Sequence, residues 1–183
     1  MLQILRVVLA TLILGAVFIV LGAYSGFYDV GADRPHLAVT RALLTLLRER
    51  SIERRAAEVA VPPLDEPARL REGAEHYSAM CVDCHLAPGI IVSEIRAGLL
   101  PQPPNLSKVS IAPNVAFWAI KHGIKASGMP AWGQTHGDEE IWNIVAFVRQ
   151  LPHMSPEQYR AITAAEDGGE HTHTHEHARP GAD

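Results

Sequence analysis

Hydrophobic and polar positions divide the chain into four stretches of different character. From Val7 to Tyr24 there is no charged residue. Eighteen such residues make a helix of roughly 27 Å at 1.5 Å per residue, close to the ~30 Å hydrocarbon layer of a bilayer. Tyr24, Phe27 and Tyr28 follow where aromatic side chains favour the headgroup layer. The pattern predicts an N-terminal membrane anchor over residues 1–28. A cleaved signal peptide is the competing reading, with Ala23-Tyr24-Ser25 as a weak cleavage site. Arg6 precedes the run, so the positive-inside rule puts the N-terminus in the cytoplasm and the remainder across the membrane.

Residues 29–63 read as a helical arm and Pro-rich linker. Pro35 opens a helix expected to reach about Ala60. Its first half is apolar (Leu37, Val39, Leu43, Leu44, Leu46, Leu47) and its second half charged (Arg48 to Glu58). That split predicts a start resting on a membrane or partner and an end in water, against the plainer reading of a spacer. Val61-Pro62-Pro63 stops the helix.

Residues 64–152 read as an all-α unit with long loops. One helix is expected from Pro67, with Asp65 and Glu66 at its positive end, to about Met80. A short one is expected over Asn114–His122, and a last one capped by Asp138, where Ile141, Ile144, Val145, Val148 and Leu151 recur at helical spacing. Prolines and glycines between 86 and 112 predict loops, and no alternating strand pattern of useful length occurs. Residues 153–183 form a C-terminal extension, helical for a turn or two after Ser155 and expected to be disordered from 166.

Composition narrows the function. The formal net charge is −4 and no region is basic enough to hold a polyphosphate, so nucleic acid is excluded as a partner. The two cysteines, Cys81 and Cys84, exclude a disulfide scaffold. They stand in Cys81-Val82-Asp83-Cys84-His85. Two thiols at that spacing near a helix end can both reach the vinyl groups of one haem, and the following imidazole can ligate its iron. A thioredoxin-like dithiol would need a βαβ setting, and structural zinc would need two more ligands. A small helical unit with few large aromatics also benefits from a ring to close around.

For the sixth iron ligand Met129 is favoured, in Ser127-Gly128-Met129-Pro130-Ala131-Trp132-Gly133. Its flanking glycines are expected to let the backbone approach the ring, and Pro130 stiffens the loop. Met80 adjoins Cys81 and so falls on the side of His85. Met154 follows the Pro152 break, and His122 or His136 would make a lower-potential bis-histidine pair. Trp118 and Trp142 are expected to pack the core, and His36 to sit at the surface or cap a helix. No serine stands in a nucleophile motif.

These residues give residues 64–151 a resemblance to class I c-type cytochromes, small monohaem electron-transfer domains. The attachment motif matches at Cys81, Cys84 and His85, and the methionine loop at Met129-Pro130. Gly73, Tyr77 and Phe147 fall where the family crosses its terminal helices. The layout of anchor, arm and single haem domain further resembles membrane-anchored bacterial monohaem cytochromes. The resemblance implies one covalent haem c and a one-electron carrier, not an enzyme, on the periplasmic side of the inner membrane, between unidentified redox donors and acceptors of a respiratory chain. A haem subunit of an oxidoreductase complex, a haem sensor or enzyme with a displaceable Met129, and a metal-handling protein are the alternatives. The last would act through His171, His173, His175 and His177, whose imidazoles suit copper, nickel or zinc.

Overall fold

The computed structural model describes residues 1–164. They fall into two compact units, Met1–Leu37 and the part of the chain from Ala38 onward. The first unit is built on α1 (Leu2–Tyr24), the one helix among the described residues long and apolar enough to cross a membrane. It begins five residues before the uncharged run because Leu2, Ile4 and Leu5 extend the apolar surface past Arg6.

In the second unit all regular elements among the described residues are helical. The order is α2 (Ala38–Ala56), α3 (Pro67–Met80), α4 (Val82–His85), α5 (Glu94–Ala97), α6 (Pro113–His122), α7 (Asp138–Gln150) and α8 (Pro156–Ala164). The all-α class expected from the sequence is therefore what forms. α3 has the expected bounds, with Pro67 in its first turn. α6 starts one residue early because Pro113 serves there too. At α7 the cap is Gly137 and not Asp138, and the Gly137 N–H donates to Glu140 Oε2 at 2.6 Å. That is half of a capping box, glycine having no side chain to supply the other half.

The core is the crossing of α3 with α7. Gly73 makes it possible: a Cβ there would collide with the Asn143 carbonyl oxygen and stand 2.9 Å from Phe147 Cβ. Tyr77 and Phe147, both fully buried, pack with ring centroids 5.5 Å apart beside it. The crossing is clasped by polar groups as well. Asn143 donates to Glu72 Oε2 at 2.5 Å and accepts from Arg69 at 3.0 Å, and Arg69 pairs with Glu139 at 2.8 Å. Phe117 of α6 stacks on Trp142 of α7 at 4.1 Å, which fixes the third wall. Gly73→Ala is expected to cost about 3 kcal/mol, since a backbone carbonyl cannot yield as a side-chain tip can. A lower denaturation midpoint at unchanged denaturant slope checks it.

α2 departs most from the sequence reading. It starts three residues after Pro35 and stops at Ala56, four short of the expected end. Leu37, Val39, Leu43, Leu44, Leu46 and Leu47 are exposed, as the apolar half of an arm would be. The charged half, however, is not simply in water. Ala56 is 0% exposed, its carbonyl accepts from Asn114 Nδ2 at 2.9 Å, and the helix packs on α6. Thr45, Arg48, Ile52, Ala56 and Val59 all lose solvent and lie on one stripe at helical spacing.

Candidate functional site

α3, α4, α6, α7 and the loop after α6 surround an apolar cavity of about 400 Å³. The α3–α4 junction brings Cys81, Cys84 and His85 to it. Cys81 ends α3, and α4 is a single turn in which the His85 N–H bonds back to the Cys81 carbonyl at 2.8 Å. That turn places the two sulfurs and the imidazole on the same lining. The Tyr77 hydroxyl, buried beneath, donates to the Leu86 carbonyl at 2.6 Å and so holds the backbone just past His85, where Leu86 takes a φ of 59°. The His85 carbonyl in turn accepts from the Leu106 N–H at 3.0 Å.

The His85 ring is oriented by the backbone of another lining residue, Pro104. Nδ1 lies 3.0 Å from the Pro104 carbonyl, a partner that can only accept, so Nδ1 carries the proton and Nε2 keeps its lone pair. Burial lowers the His85 pKa below the ordinary histidine range. The Pro104 bond opposes that shift, and the Arg96 guanidinium adds to it. A neutral imidazole with a free nitrogen is the ligating form. Cys81 is buried, and its thiol is pushed up to about 12, chiefly by burial and then by Cys84 beside it.

Met129 reaches the same cavity from the loop between α6 and the 3₁₀ turn Trp132–Gln134. The loop is held by its own backbone. Ile124 N–H donates to the Met129 carbonyl at 3.1 Å, Ser127 N–H to the Ile124 carbonyl at 3.2 Å, and Met129 N–H to Ser127 Oγ at 3.2 Å. The decisive glycine is Gly123, at φ 64°. A Cβ there would stand 2.7–2.8 Å from the backbone of Met129, Pro130 and Ala131. Gly133, expected to admit the ring, instead lies against the Lys121 backbone, and Gly128 lies against the Leu99 side chain.

Of the other candidate ligands, Met80 also lines the cavity, whereas Met154, His122 and His136 do not. His122 sits against Trp118 and His136 against Trp132 and His76. Trp142 packs the core as expected, and the tryptophan that lines the cavity is Trp132. His36 shares a 2.8 Å hydrogen bond with the Tyr28 hydroxyl in the first unit. The histidines at 171, 173, 175 and 177 lie outside the described residues.

The lining fits a porphyrin: a predominantly apolar enclosure to which two cysteines, one histidine and two methionines, Met80 and Met129, contribute. Residues 68–148 match the family model described as "Cytochrome C oxidase, cbb3-type, subunit III". The matched segment, residues 68–148, is a class I c-type cytochrome domain. The match takes in a little under half of the chain, and α1 and α2 lie outside it. No curated protein and no solved structure matches the chain significantly. The cytochrome domain implies covalently attached haem c and a haem electron-transfer role.

Two features of the cytochrome site were not legible in the sequence. Gly123 stands where a helix-ending glycine is expected, but its closure of the methionine loop was hidden because the backbone of residues 129–131 is brought near only by the fold. Arg48 and Ile52 were hidden because they come from α2, read as an arm, yet both line the cavity.

Proposed function

We propose that the protein is a membrane-anchored carrier of single electrons, with the cytochrome domain in the periplasm. The observation that carries this reading is the convergence of Cys81, Cys84, His85 and Met129 on one apolar cavity. Cys81 and Cys84 would hold the haem covalently, each adding its S–H across one vinyl group so that nothing leaves. His85 Nε2 and the Met129 sulfur would ligate its iron. When bound, the haem supplies a one-electron iron couple, and a thioether opposite an imidazole raises its potential relative to a bis-histidine site.

The chain's contribution is geometric and electrostatic. Pro104 fixes the tautomer of His85, the Gly123–Ala131 loop presents the thioether, and the apolar lining excludes water. With an imidazole and a thioether both on the iron, no position would be left for substrate, which favours a carrier over an enzyme. α1 confines the domain near membrane redox partners, and Arg6 before its apolar run supports a cytoplasmic N-terminus. A second arrangement, a permanent subunit of an oxidase complex, is favoured by the description of the matched family. It uses the same chemistry with a fixed partner.

The test is maturation of the full chain in a host that attaches haem in its periplasm. Expected are a red membrane protein heavier than the polypeptide by one haem, and reduction and reoxidation of that haem by respiring membranes. A colourless product or a mass without the haem sinks the proposal. Co-purification in stoichiometric amount with an oxidase separates the subunit from the free carrier.

A further inference from the structure

Within the haem cavity one lining side chain carries a permanent charge, and it comes from outside the matched segment. Apart from His85, the lining residues are apolar or uncharged, with the exception of Arg48 of α2. Arg48 lies one and two helical turns from Ile52 and Ala56, so all three share the face that packs toward the cytochrome domain. The anchoring of Ala56 by Asn114 fixes the register of that face. The Arg48 side chain as a whole is two-thirds buried, at 32% exposed. Its ion pair among the described residues is with the adjacent, exposed Glu49 at 3.5 Å. Arg50, one turn-fraction further, is 77% exposed and pairs outward with Glu53.

A haem is an apolar ring with two carboxylates, and those carboxylates need a counter-charge wherever water is thinned out. Of the other cations near this wall, Arg96 donates through one nitrogen to the Pro103 carbonyl at 3.0 Å and keeps its buried Nε unpartnered, but it does not line the cavity. On α6, Lys121 is paired with Asp138 at 2.6 Å. We infer that Arg48 is the counter-charge for a haem propionate, so that α2 is part of the haem-binding unit rather than a spacer. Ile52, one turn on, seals the same edge with an apolar surface. This inference rests on the haem site proposed above and adds to it a residue that tunes the site from a separate helix.

The charge has a direction. A cation held near the ring opposes the more positive ferric state, so removing it favours oxidation. In the full-length haem-loaded protein, Arg48→Gln is expected to shift the reduced-to-oxidised ratio at a fixed ambient potential by roughly tenfold toward the oxidised form. It is also expected to introduce a pH dependence of the midpoint between pH 5 and 8. Without the guanidinium a propionate protonates within that range, and protonation raises the potential as pH falls. Arg48→Lys should restore most of the potential and the flat profile. Arg50→Gln, the loss of an equal charge on the outer face of α2, should behave as the parent.

Each variant is first weighed for covalent haem. A parent protein without haem overturns the functional reading, whereas loaded variants speak only to Arg48. A loaded Arg48→Gln protein with the parent's potential and pH profile overturns the inference, as does an equal shift in Arg50→Gln. Should Arg48→Gln fail to accumulate, the parent carrying ¹³C-labelled haem propionates decides by infrared titration. A carboxylate that stays ionised down to pH 5 supports the pair, and one that titrates as in free haem overturns it.

Discussion

Replacing Met129 by alanine is expected to leave a folded, haem-loaded protein whose potential has fallen on the order of 0.2 V, a fraction of the ~0.8 V span set by axial ligation. The weak sulfur-to-iron charge-transfer band of the oxidised protein should vanish, and the reduced protein should bind carbon monoxide readily. Only the thioether is removed: the loop that presents it is closed by Gly123 and by the Ile124 and Ser127 backbone bonds, none of which involves the methionine side chain. Met129→His gives the complementary result, a low potential with a filled sixth position and little affinity for carbon monoxide. Spectra and redox titration of the two variants side by side check the assignment. A charge-transfer band surviving in Met129→Ala would give the sixth position to another residue, with Met80 the other methionine on the lining.

Cys81→Ser with Cys84→Ser is expected to lower the yield of haem-bearing protein more than tenfold, and any haem that remains should be extractable by acid acetone. The two single variants differ. Cys81 is buried and its thiol is held protonated by burial, so serine there also places a hydroxyl in apolar surroundings at a cost of about 1–3 kcal/mol. Cys84 is only half-buried and pays no such penalty. Cys84→Ser should therefore give the better yield of a singly attached haem, recognisable by a red-shifted reduced band. The mass of the denatured chain and its haem stain on a gel provide the measurement.

What could be read from the chain in advance was whatever depended on neighbours in sequence. The Cys81–His85 spacing, the proline start of α3 and the apolar repeat of α7 are local patterns, and each lies where the pattern placed it, while α6 begins one residue before its expected start. Gly73, Tyr77 and Phe147 were legible through the family resemblance, and they do meet at the α3–α7 crossing. The methionine loop was legible only in part. Its sequence marked Met129, which lines the cavity, whereas Gly123 reads locally as a helix-ending glycine and its contact with residues 129–131 is visible only in the fold. α5 was missed because Glu94–Ala97 is a single turn in a segment crowded with prolines. α2 was misread for a different reason. A helix with one sparse stripe of Arg48, Ile52 and Ala56 looks like a solvated spacer until the surface that receives it is known.

The size of the cavity has a consequence for how the molecule is made. A dry void of about 400 Å³ would cost a polypeptide that kept it roughly 10 kcal/mol at ~24 cal/mol per Å³. That equals the entire net stability of an ordinary domain, about 5–15 kcal/mol. The bare chain thus has little to gain from adopting its final shape, and a ring filling the cavity would supply what is missing. On that account the thread is expected to stay slack until it receives its pigment, with the unfilled form the one that housekeeping proteases clear.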